Sequence, residues 1–162
     1  MKKIAIAPYA AKLPNGKRNP KEFPAWPELI ERLNAEGYEV IQLGAKGEKR
    51  LEGTAQFIEG YPLEKLEQVI RDCETWIAVD TWMSHFCATM RLQGGIVFWA
   101  QSNPKIWGYP HNTNLLKDES YLREWQYAPW WDAEYNADAF VEPQVVMDAL
   151  HGRLTFNATA KS

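Results

Sequence analysis

The stretch Asp80-Thr81-Trp82-Met83-Ser84-His85 lies between two apolar segments, residues 75–79 and 95–100, that the pattern predicts as buried strands. A helix-like segment, residues 86–92, follows it. This layout puts a carboxylate, two hydroxyls and an imidazole after a strand and at the start of a helix. Ligands of open α/β sheets bind at the carboxyl ends of the strands, and helix amino termini attract anions such as phosphate. We therefore expect the active or binding site here.

The sequence around this stretch predicts a parallel sheet. Apolar runs typical of strands occur at residues 3–7, 38–43, 76–79 and 95–100. Between them, apolar residues at helical spacing predict amphipathic helices from Trp26 to Ala35 and from Leu63 to Ile70. Strands that are joined by helical crossovers pair in parallel. The order predicts a single Rossmann-like, three-layer α/β domain over residues 1–152. The carboxyl ends of strands 38–43, 76–79 and 95–100 should face one cleft, and Glu48, Thr81 and His85 should converge there on a pocket of nucleotide size.

The chain changes character after residue 100. Residues 101–140 are rich in proline and aromatic residues without sustained periodicity, which predicts a long structured loop against the sheet edge. Residues 141–150 predict a closing helix, and residues 153–162 a frayed C-terminal tail. Strand positions place Trp76 and Trp99 in the core. The tryptophans of the long loop that are candidates for an exposed platform, at a sugar site or an interface, are Trp125, Trp130 and Trp131.

Composition excludes several classes of protein. The 162 residues are 46% apolar, enough for one folded domain. No apolar run approaches the roughly 20 residues of a membrane span, and Pro8 breaks the first apolar run too early for a secretory signal, so we expect a cytoplasmic protein. Cys73 and Cys87 form no CxxC pair, and the three histidines lie far apart, so we expect reduced thiols and no metal site. The sequence has neither the GxGxxG fingerprint of dinucleotide-dependent oxidoreductases nor the GxxxxGK[ST] fingerprint of NTPases, which argues against both classes.

The net charge of −3 conceals a basic N-terminal segment. Residues 1–21 contain six of the 18 lysines and arginines and no acidic residue. A local basic loop on an acidic body suits a small anionic ligand better than a nucleic-acid duplex, which calls for a broad basic face. A solvated, lysine-rich loop without a ligand is the alternative interpretation.

Four short motifs resemble those of one enzyme family. They are Lys21-Glu22-Phe23-Pro24, Leu43-Gly44 followed by Glu48, the stretch 80–85, and Ser102-Asn103-Pro104. In the same order, the family has Lys-x-Trp-Pro, a strand–Gly…Glu pattern, Asp-Ser/Thr-Gly-x-x-His, and a turn after a strand that ends in Pro. Over residues 3 to about 150 the chain thus resembles the C-terminal, donor-binding half of the heptosyltransferase-like glycosyltransferases of family nine. These enzymes transfer sugars from nucleotide-diphosphate donors, and the resemblance implies the Rossmann-like C-terminal half of a B-fold glycosyltransferase.

The resemblance also implies how a donor is bound. Lys21 would neutralise a donor phosphate, and Glu48 would accept hydrogen bonds from ribose hydroxyls. Thr81 and the N–H groups that open the next helix, around Trp82 and Ser84, would hold the diphosphate. The family has glycine where Trp82 stands, so the backbone here approaches a diphosphate less closely and an aromatic ring reshapes the site.

Asp80 and His85 are the candidate catalytic residues, and they organise the turn that precedes the helix. Simpler interpretations stay open for all the charged residues. Asp80 is alternatively the N-cap of the helix, and His85 a core histidine hydrogen-bonded to Asp80. Lys21 and Glu48 are alternatively solvated loop charges.

Three functions are compatible with the sequence. The first is a glycosyltransferase, of hexosyl or heptosyl type, that binds a nucleotide-diphosphate sugar and needs no further cofactor or divalent metal. The family's N-terminal acceptor domain has no counterpart in these residues, so a homo-oligomer or a partner subunit supplies the acceptor half, or residues 107–135 rebuild it. The second is a non-catalytic module that binds or sequesters a nucleotide or nucleotide-sugar. The third is a small hydrolase that uses Asp80 and His85 as a base pair.

Overall fold

The computed structural model describes residues 2–128 and 133–161, with side chains described up to residue 155. The described strands are β1 (Lys3–Ala7), β2 (Glu39–Gly44), β3 (Gln56–Glu59), β4 (Thr75–Val79), β5 (Ile96–Trp99) and β6 (Thr113–Leu116). The α-helices are α1 (Trp26–Ala35), α2 (Leu63–Arg71), α3 (Trp82–Thr89), α4 (Pro104–Trp107) and α5 (Pro143–Lys161). Short 3-10 helices lie at Glu119–Tyr121 and Ala137–Ala139. None of the helices in this part of the chain has the length and apolarity that a membrane crossing requires.

The six strands form one sheet in the order β3-β2-β1-β4-β5-β6, and every neighbouring pair is parallel. This confirms the predicted Rossmann-like α/β fold. Both faces of a parallel sheet are covered, so its central strands are apolar throughout. Every residue of β4 and β5 is buried accordingly, including Trp76 and Trp99, as predicted.

The core divides into two clusters, one on each face of the sheet. Successive strand residues point to opposite faces, so Ile4 and Ile6 join one cluster whereas Ala5 and Ala7 join the other. The first cluster is packed by α1 and α5, and the second by α2 and α3. Helices thus cover both faces, which gives the predicted three layers. Both cysteines lie in the second cluster, where burial raises the pKa of the Cys73 thiol to about 11 and that of the Cys87 thiol to about 12.

The structure corrects the prediction at the two sheet edges. Strand β3 lies between the predicted strand 38–43 and the predicted helix that starts at Leu63, and β6 lies within the predicted long loop 101–140. Both are four-residue edge strands without one fully buried residue, so neither has the apolar run that marks a central strand. Two helix boundaries also differ. Helix α3 begins at Trp82 rather than after His85, and α5 continues to Lys161 through residues that the sequence predicts as a tail.

Gly95, immediately before β5, makes the closest packing contact in the centre of the sheet. A Cβ atom at this position would collide with the indole ring and the backbone carbonyl of Trp76. Trp76 is fully buried and has little room to move, because its Nε1 donates a hydrogen bond to the Gln93 carbonyl at 2.8 Å. The backbone N–H of Gly95 also donates to Asn112 Oδ1 at 3.1 Å. Glycine is therefore required at residue 95 for β4 and β5 to pair.

We expect Gly95→Ala to lower the free energy of unfolding by about 1–3 kcal/mol, because an extra methyl in a filled core forces its neighbours apart. Gly152→Ala is the matched control. Gly152 lies in α5 with no atom within 4 Å of a Cβ, so alanine should raise stability by about 0.5–1 kcal/mol there. Urea unfolding of both variants measures the difference, and equal midpoints would contradict the packing described here.

Candidate functional site

Strand β1 lies where the strand order of the sheet reverses. Along the chain, β1, β2 and β3 follow one another outward to one edge, and β4, β5 and β6 outward to the other. The segments that follow β1 and β4 therefore leave neighbouring strands in different directions and open a crevice between them. Crevices of this kind are the usual ligand sites of open α/β sheets.

An ion pair spans this crevice. Lys21, in the segment after β1, places its Nζ 3.0 Å from Oδ2 of Asp80, the residue that follows β4. The Asp80 side chain is 9% exposed and that of Lys21 is 23% exposed. Lys21 is thus not a solvated loop lysine. Asp80 is not the N-cap of α3 either, because Thr81 occupies that position.

The segment that carries Lys21 is held by its own hydrogen bonds. Asn19 is buried; its Oδ1 accepts from the Lys21 N–H at 3.0 Å, and its Nδ2 donates to the Ala11 carbonyl at 2.8 Å. Two residues after Lys21, Phe23 stacks on Phe98 of β5 with ring centroids 4.0 Å apart. The lysine is therefore positioned from both sides before any ligand arrives.

A cavity of about 320 Å³, here called the Asp80 cavity, opens beside the ion pair. Its lining combines five charged or polar side chains with the rings of a tryptophan and a tyrosine. The residues are Lys21, Asp80, His85, Ser102, Trp107, Gln126, Tyr127 and Ala128. Three of the four segments that supply them follow β1, β4 and β5, so the carboxyl edge of the sheet builds this cavity. The segment after β2, which the sequence predicts to face the same cleft, lines a different cavity.

His85 is bonded to a residue that the sequence reasoning missed. Its Nδ1 lies 2.7 Å from the hydroxyl oxygen of Tyr109, and the two rings meet edge to face. His85 is exposed, so the interpretation as a core histidine bonded to Asp80 is wrong. Among the described residues its hydrogen-bond partner is Tyr109, while that of Asp80 is Lys21. In the sequence, the feature that could have pointed to Tyr109 is its place in the aromatic-rich stretch that starts at Trp107, shortly after β5.

The side chains of Thr81, Trp82 and Ser84, at the start of α3, are not among those that line the Asp80 cavity. Thr81 is the N-cap in extended conformation, without a hydrogen bond from its side chain to the helix. The buried Ser84 hydroxyl donates to the Thr81 carbonyl at 3.2 Å, which is a local structural role. The Trp82 ring packs against Phe86 and the α2–α3 side of the core, and it does not line the Asp80 cavity. The aromatic rings at the cavity are Trp107 and Tyr127 instead.

Glu48 lines a second cavity of about 640 Å³, here called the Glu48 cavity. The predicted convergence of Glu48, Thr81 and His85 on one pocket is wrong, because Glu48 lines this cavity, His85 lines the Asp80 cavity and Thr81 lines neither. Strand β1 and its following loop lie between β2 and β4 and keep these segments apart. The consecutive residues Lys21 and Glu22 separate the two spaces, since Lys21 lines the Asp80 cavity and Glu22 lines the Glu48 cavity. The two cavities are therefore neighbours at the same sheet edge.

The Glu48 carboxyl is folded back against the end of β2. A side chain at Gly44 would meet this carboxylate and displace it from its present position. Burial raises the pKa of Glu48 above its usual value, a backbone hydrogen bond at Ala45 opposes this shift, and the negative charge of Glu22 adds to it. Burial and the charges of Glu22 and Glu48 also raise the pKa of Tyr9, which lines the same cavity.

Lysines surround these acidic groups. Lys12, Lys46 and Lys49 line the Glu48 cavity, and Lys21 lines the Asp80 cavity. Of the basic N-terminal segment, then, Lys12 and Lys21 reach a cavity, whereas Lys17 pairs with Glu134 at the surface. The site as a whole offers positive charge around two concave spaces, which suits a ligand with a central anionic group.

The sequence matches the model of glycosyltransferase family 9 (heptosyltransferase) over residues 2–117. The chain belongs to this family. All four motifs that carried the resemblance, and both strands that flank the crevice, lie inside the matched range. Gln126 and Tyr127 lie beyond it. No curated protein sequence gives a match.

Solved heptosyltransferases have the same fold as this family 9 chain. The ADP-heptose lipopolysaccharide heptosyltransferase II of E. coli has a TM-score of 0.71 at 18% identity, over 97% of this chain and 47% of its own. The dodecameric iron-containing heptosyltransferase TibC of enterotoxigenic E. coli, in complex with ADP-D-β-D-heptose, gives 0.59 at 15% identity, over 88% and 36%. E. coli heptosyltransferase WaaC with ADP gives 0.56 at 24% identity, over 70% and 37%. The chain thus spans less than half the length of these enzymes.

The platform of exposed tryptophans is described only in part. Trp125 is 65% exposed, whereas Trp130 and Trp131 lie outside the described residues. Trp125 does not line the Asp80 cavity, although its neighbours Gln126 and Tyr127 do.

We expect Lys21→Met to lower the free energy of unfolding by about 1–3 kcal/mol, because it leaves the carboxylate of Asp80 largely buried without its counter-ion. The control is Lys17→Met, which removes a pair whose side chains are 57% and 83% exposed and should change stability by no more than about 0.5 kcal/mol. Urea unfolding at neutral pH compares the two. An equal loss of unfolding free energy in both variants would show that the Lys21–Asp80 pair stabilises the fold no more than an exposed ion pair does.

Proposed function

We propose that this family 9 chain binds a nucleotide-diphosphate sugar across the two cavities, with the diphosphate at Lys21. The observation that carries the proposal is the position of the Lys21–Asp80 pair, at the strand-order reversal and between two concave spaces. A nucleotide sugar has the matching layout, since its anionic diphosphate joins two larger uncharged groups. The nucleoside would occupy the Glu48 cavity and the sugar the Asp80 cavity.

Electrostatics favours the diphosphate at this point. Lysine is a compact point charge with three donors, so Lys21 can keep its contact with Asp80 and still donate to a phosphate oxygen. The N–H groups that open α3 after Thr81 add partial positive charge from the same side of the crevice. Lys12 and Lys46 in the neighbouring cavity increase the attraction for an anion.

The Glu48 cavity suits the nucleoside of the donor. An ionised carboxylate at a strand end accepts hydrogen bonds from the two ribose hydroxyls, the role that acidic residues have in other nucleotide-binding folds. The relatives support the same class of ligand, because TibC is described in complex with ADP-D-β-D-heptose and WaaC with ADP. The structure of this chain does not distinguish one base from another.

Sugar transfer is the reaction that follows from this placement. An acceptor hydroxyl oxygen forms the new bond to the anomeric carbon while the bond from that carbon to the diphosphate oxygen breaks. The nucleoside diphosphate leaves with the electron pair, and the hydroxyl proton passes to a base. We assign the base to His85, which faces the same cavity, with Tyr109 orienting its ring and Asp80 as the counter-ion that holds Lys21.

A non-catalytic nucleotide-sugar binding module is the second candidate. The observation that favours it is that Asp80 is held in an ion pair by Lys21. The small-hydrolase interpretation has less support, because Asp80 and His85 have different hydrogen-bonding partners in the described structure.

We expect isothermal titration calorimetry to show binding of at least one of ADP-, UDP-, GDP- and CDP-linked sugars, and Lys21→Ala to weaken it by about tenfold or more, as for loss of a charge-assisted phosphate contact. Lys17→Ala removes the same side chain from the same basic segment outside both cavities, so its affinity should match the wild type. Absence of binding to all four donors, or equal affinity of Lys21→Ala and wild type, would refute the proposal.

Donor affinity should fall as the pH is lowered. The pKa of Glu48 is raised in the folded chain, and only its ionised form accepts from both ribose hydroxyls, so protonation begins to remove these bonds above the usual carboxyl range. Glu48→Gln should bind more weakly at pH 7 and lose most of this dependence, whereas Glu52→Gln, outside the Glu48 cavity, should keep it. Calorimetry between pH 4.5 and 7.5 tests this, because the diphosphate of a nucleotide sugar does not itself titrate in that range.

Turnover separates the two candidate functions. Loss of a positioned general base costs roughly 10² to 10⁴ in rate. A binding module should therefore bind donor without measurable hydrolysis or transfer, and a transferase should lose activity in His85→Ala while it keeps donor affinity. Light scattering of the same preparation shows whether a homo-oligomer accompanies the activity.

A further inference from the structure

Two aromatic rings stand at the mouth of the Asp80 cavity. Trp107 and Tyr127 line it from separate segments, and their rings meet at 66° with centroids 5.2 Å apart. Trp107 is 39% exposed and Tyr127 is 65% exposed. The core does not require either ring, since both lie outside the two buried clusters. We refer to Trp107 and Tyr127 as the aromatic rim.

Hydrogen bonds fasten the segment that carries Tyr127 to the turn after β5. The side chain of Gln126 accepts from the Asn103 N–H at 2.7 Å and donates to the Gln101 and Arg123 carbonyls, each at 2.9 Å. The Arg123 N–H also donates to the Gln101 carbonyl at 2.9 Å. One glutamine thus satisfies three backbone groups of two segments that are distant in sequence.

The other half of the rim is fixed in a similar way. Trp107 ends α4, whose N-cap Asn103 accepts from the Lys105 N–H at 2.9 Å. The same Asn103 is joined through its N–H to Gln126. Hydrogen bonds therefore hold together the two backbone segments that carry these rings. When a ligand stacks on the rings, the protein loses little conformational entropy.

The surroundings of the rim are those that a pyranose sugar needs. A pyranose has an apolar face of C–H groups and an edge of hydroxyls. Aromatic rings accept the apolar face, and a neighbouring carboxylate, imidazole and hydroxyl bind the edge. Asp80, His85 and Ser102 line the same cavity as the two rings.

We propose that the aromatic rim binds the pyranose ring of an acceptor saccharide. That this saccharide is the acceptor rests on the proposed function, which puts the donor nucleoside in the Glu48 cavity, its diphosphate at Lys21 and its sugar inside the Asp80 cavity. The second sugar then lies at the entrance of that cavity, on Trp107 and Tyr127. Binding of the saccharide itself requires no nucleotide. On this basis the chain carries its own acceptor subsite, formed in part by residues beyond the range that matches the family model.

The test uses saturation-transfer-difference NMR and tryptophan fluorescence with methyl α-mannoside, methyl α-glucoside, methyl β-galactoside and maltotriose, without nucleotide. We expect the wild type to bind at least one of these saccharides. Trp107→Ala should weaken that binding by about tenfold, the loss expected for one stacked ring, and Trp107→Phe should keep most of it. Trp125→Ala is the matched control, an exposed tryptophan of the same loop outside the cavity, and should bind like the wild type.

Three outcomes would overturn the inference. They are absence of saccharide binding by the wild type, equal affinity of Trp107→Ala and wild type at equal thermal stability, and a loss in Trp107→Ala confined to free adenosine or uridine, which would make the rim a nucleobase platform. Donor calorimetry on the wild type is independent of these. Saccharide binding without donor binding would support the aromatic rim as a sugar site and refute the proposed function. Donor binding without saccharide binding would support the proposed function and refute the sugar site.

Discussion

Parallel pairing of β1 with β2 on one side and β4 on the other is the constraint on which the rest of this structure depends. It forces the segments after β1 and β4 to leave the sheet at one edge and in diverging directions. Lys21 and Asp80 form an ion pair across the crevice between these segments, and a cavity lies on each side of the Lys21–Glu22 segment. The charge, the cavities and the entrance to α3 are therefore consequences of strand order, not of any one motif.

The direction of the Trp82 ring explains how the site tolerates a tryptophan where the family has glycine. Trp82 turns its ring towards Phe86 and the core, so the start of α3 stays free of that side chain. The aromatic character of the site comes instead from Trp107 and Tyr127, which Gln126 and Asn103 fix beside the cavity.

The central part of the fold could be predicted because its strands are covered on both faces. Strands β1, β4 and β5 are short runs of buried apolar residues, and such runs are visible without any knowledge of their neighbours. Strands β3 and β6 are half covered, so their residues do not differ from those of a loop until β2 and β5 are in place. The last turns of α5 were missed for a related reason, since Gly152 and polar residues interrupt the pattern.

By itself the sequence determined the fold class, the family and the edge of the sheet where Lys21, Glu48, Asp80 and His85 gather, because strand order and motif order are both written along the chain. Only the tertiary structure decided which of these side chains contact one another. It joined Lys21 to Asp80 and His85 to Tyr109, separated Glu48 from His85, and brought Tyr127 to Trp107. Such contacts depend on distances of a few ångströms between segments far apart in the chain, and residue spacing carries no record of those distances.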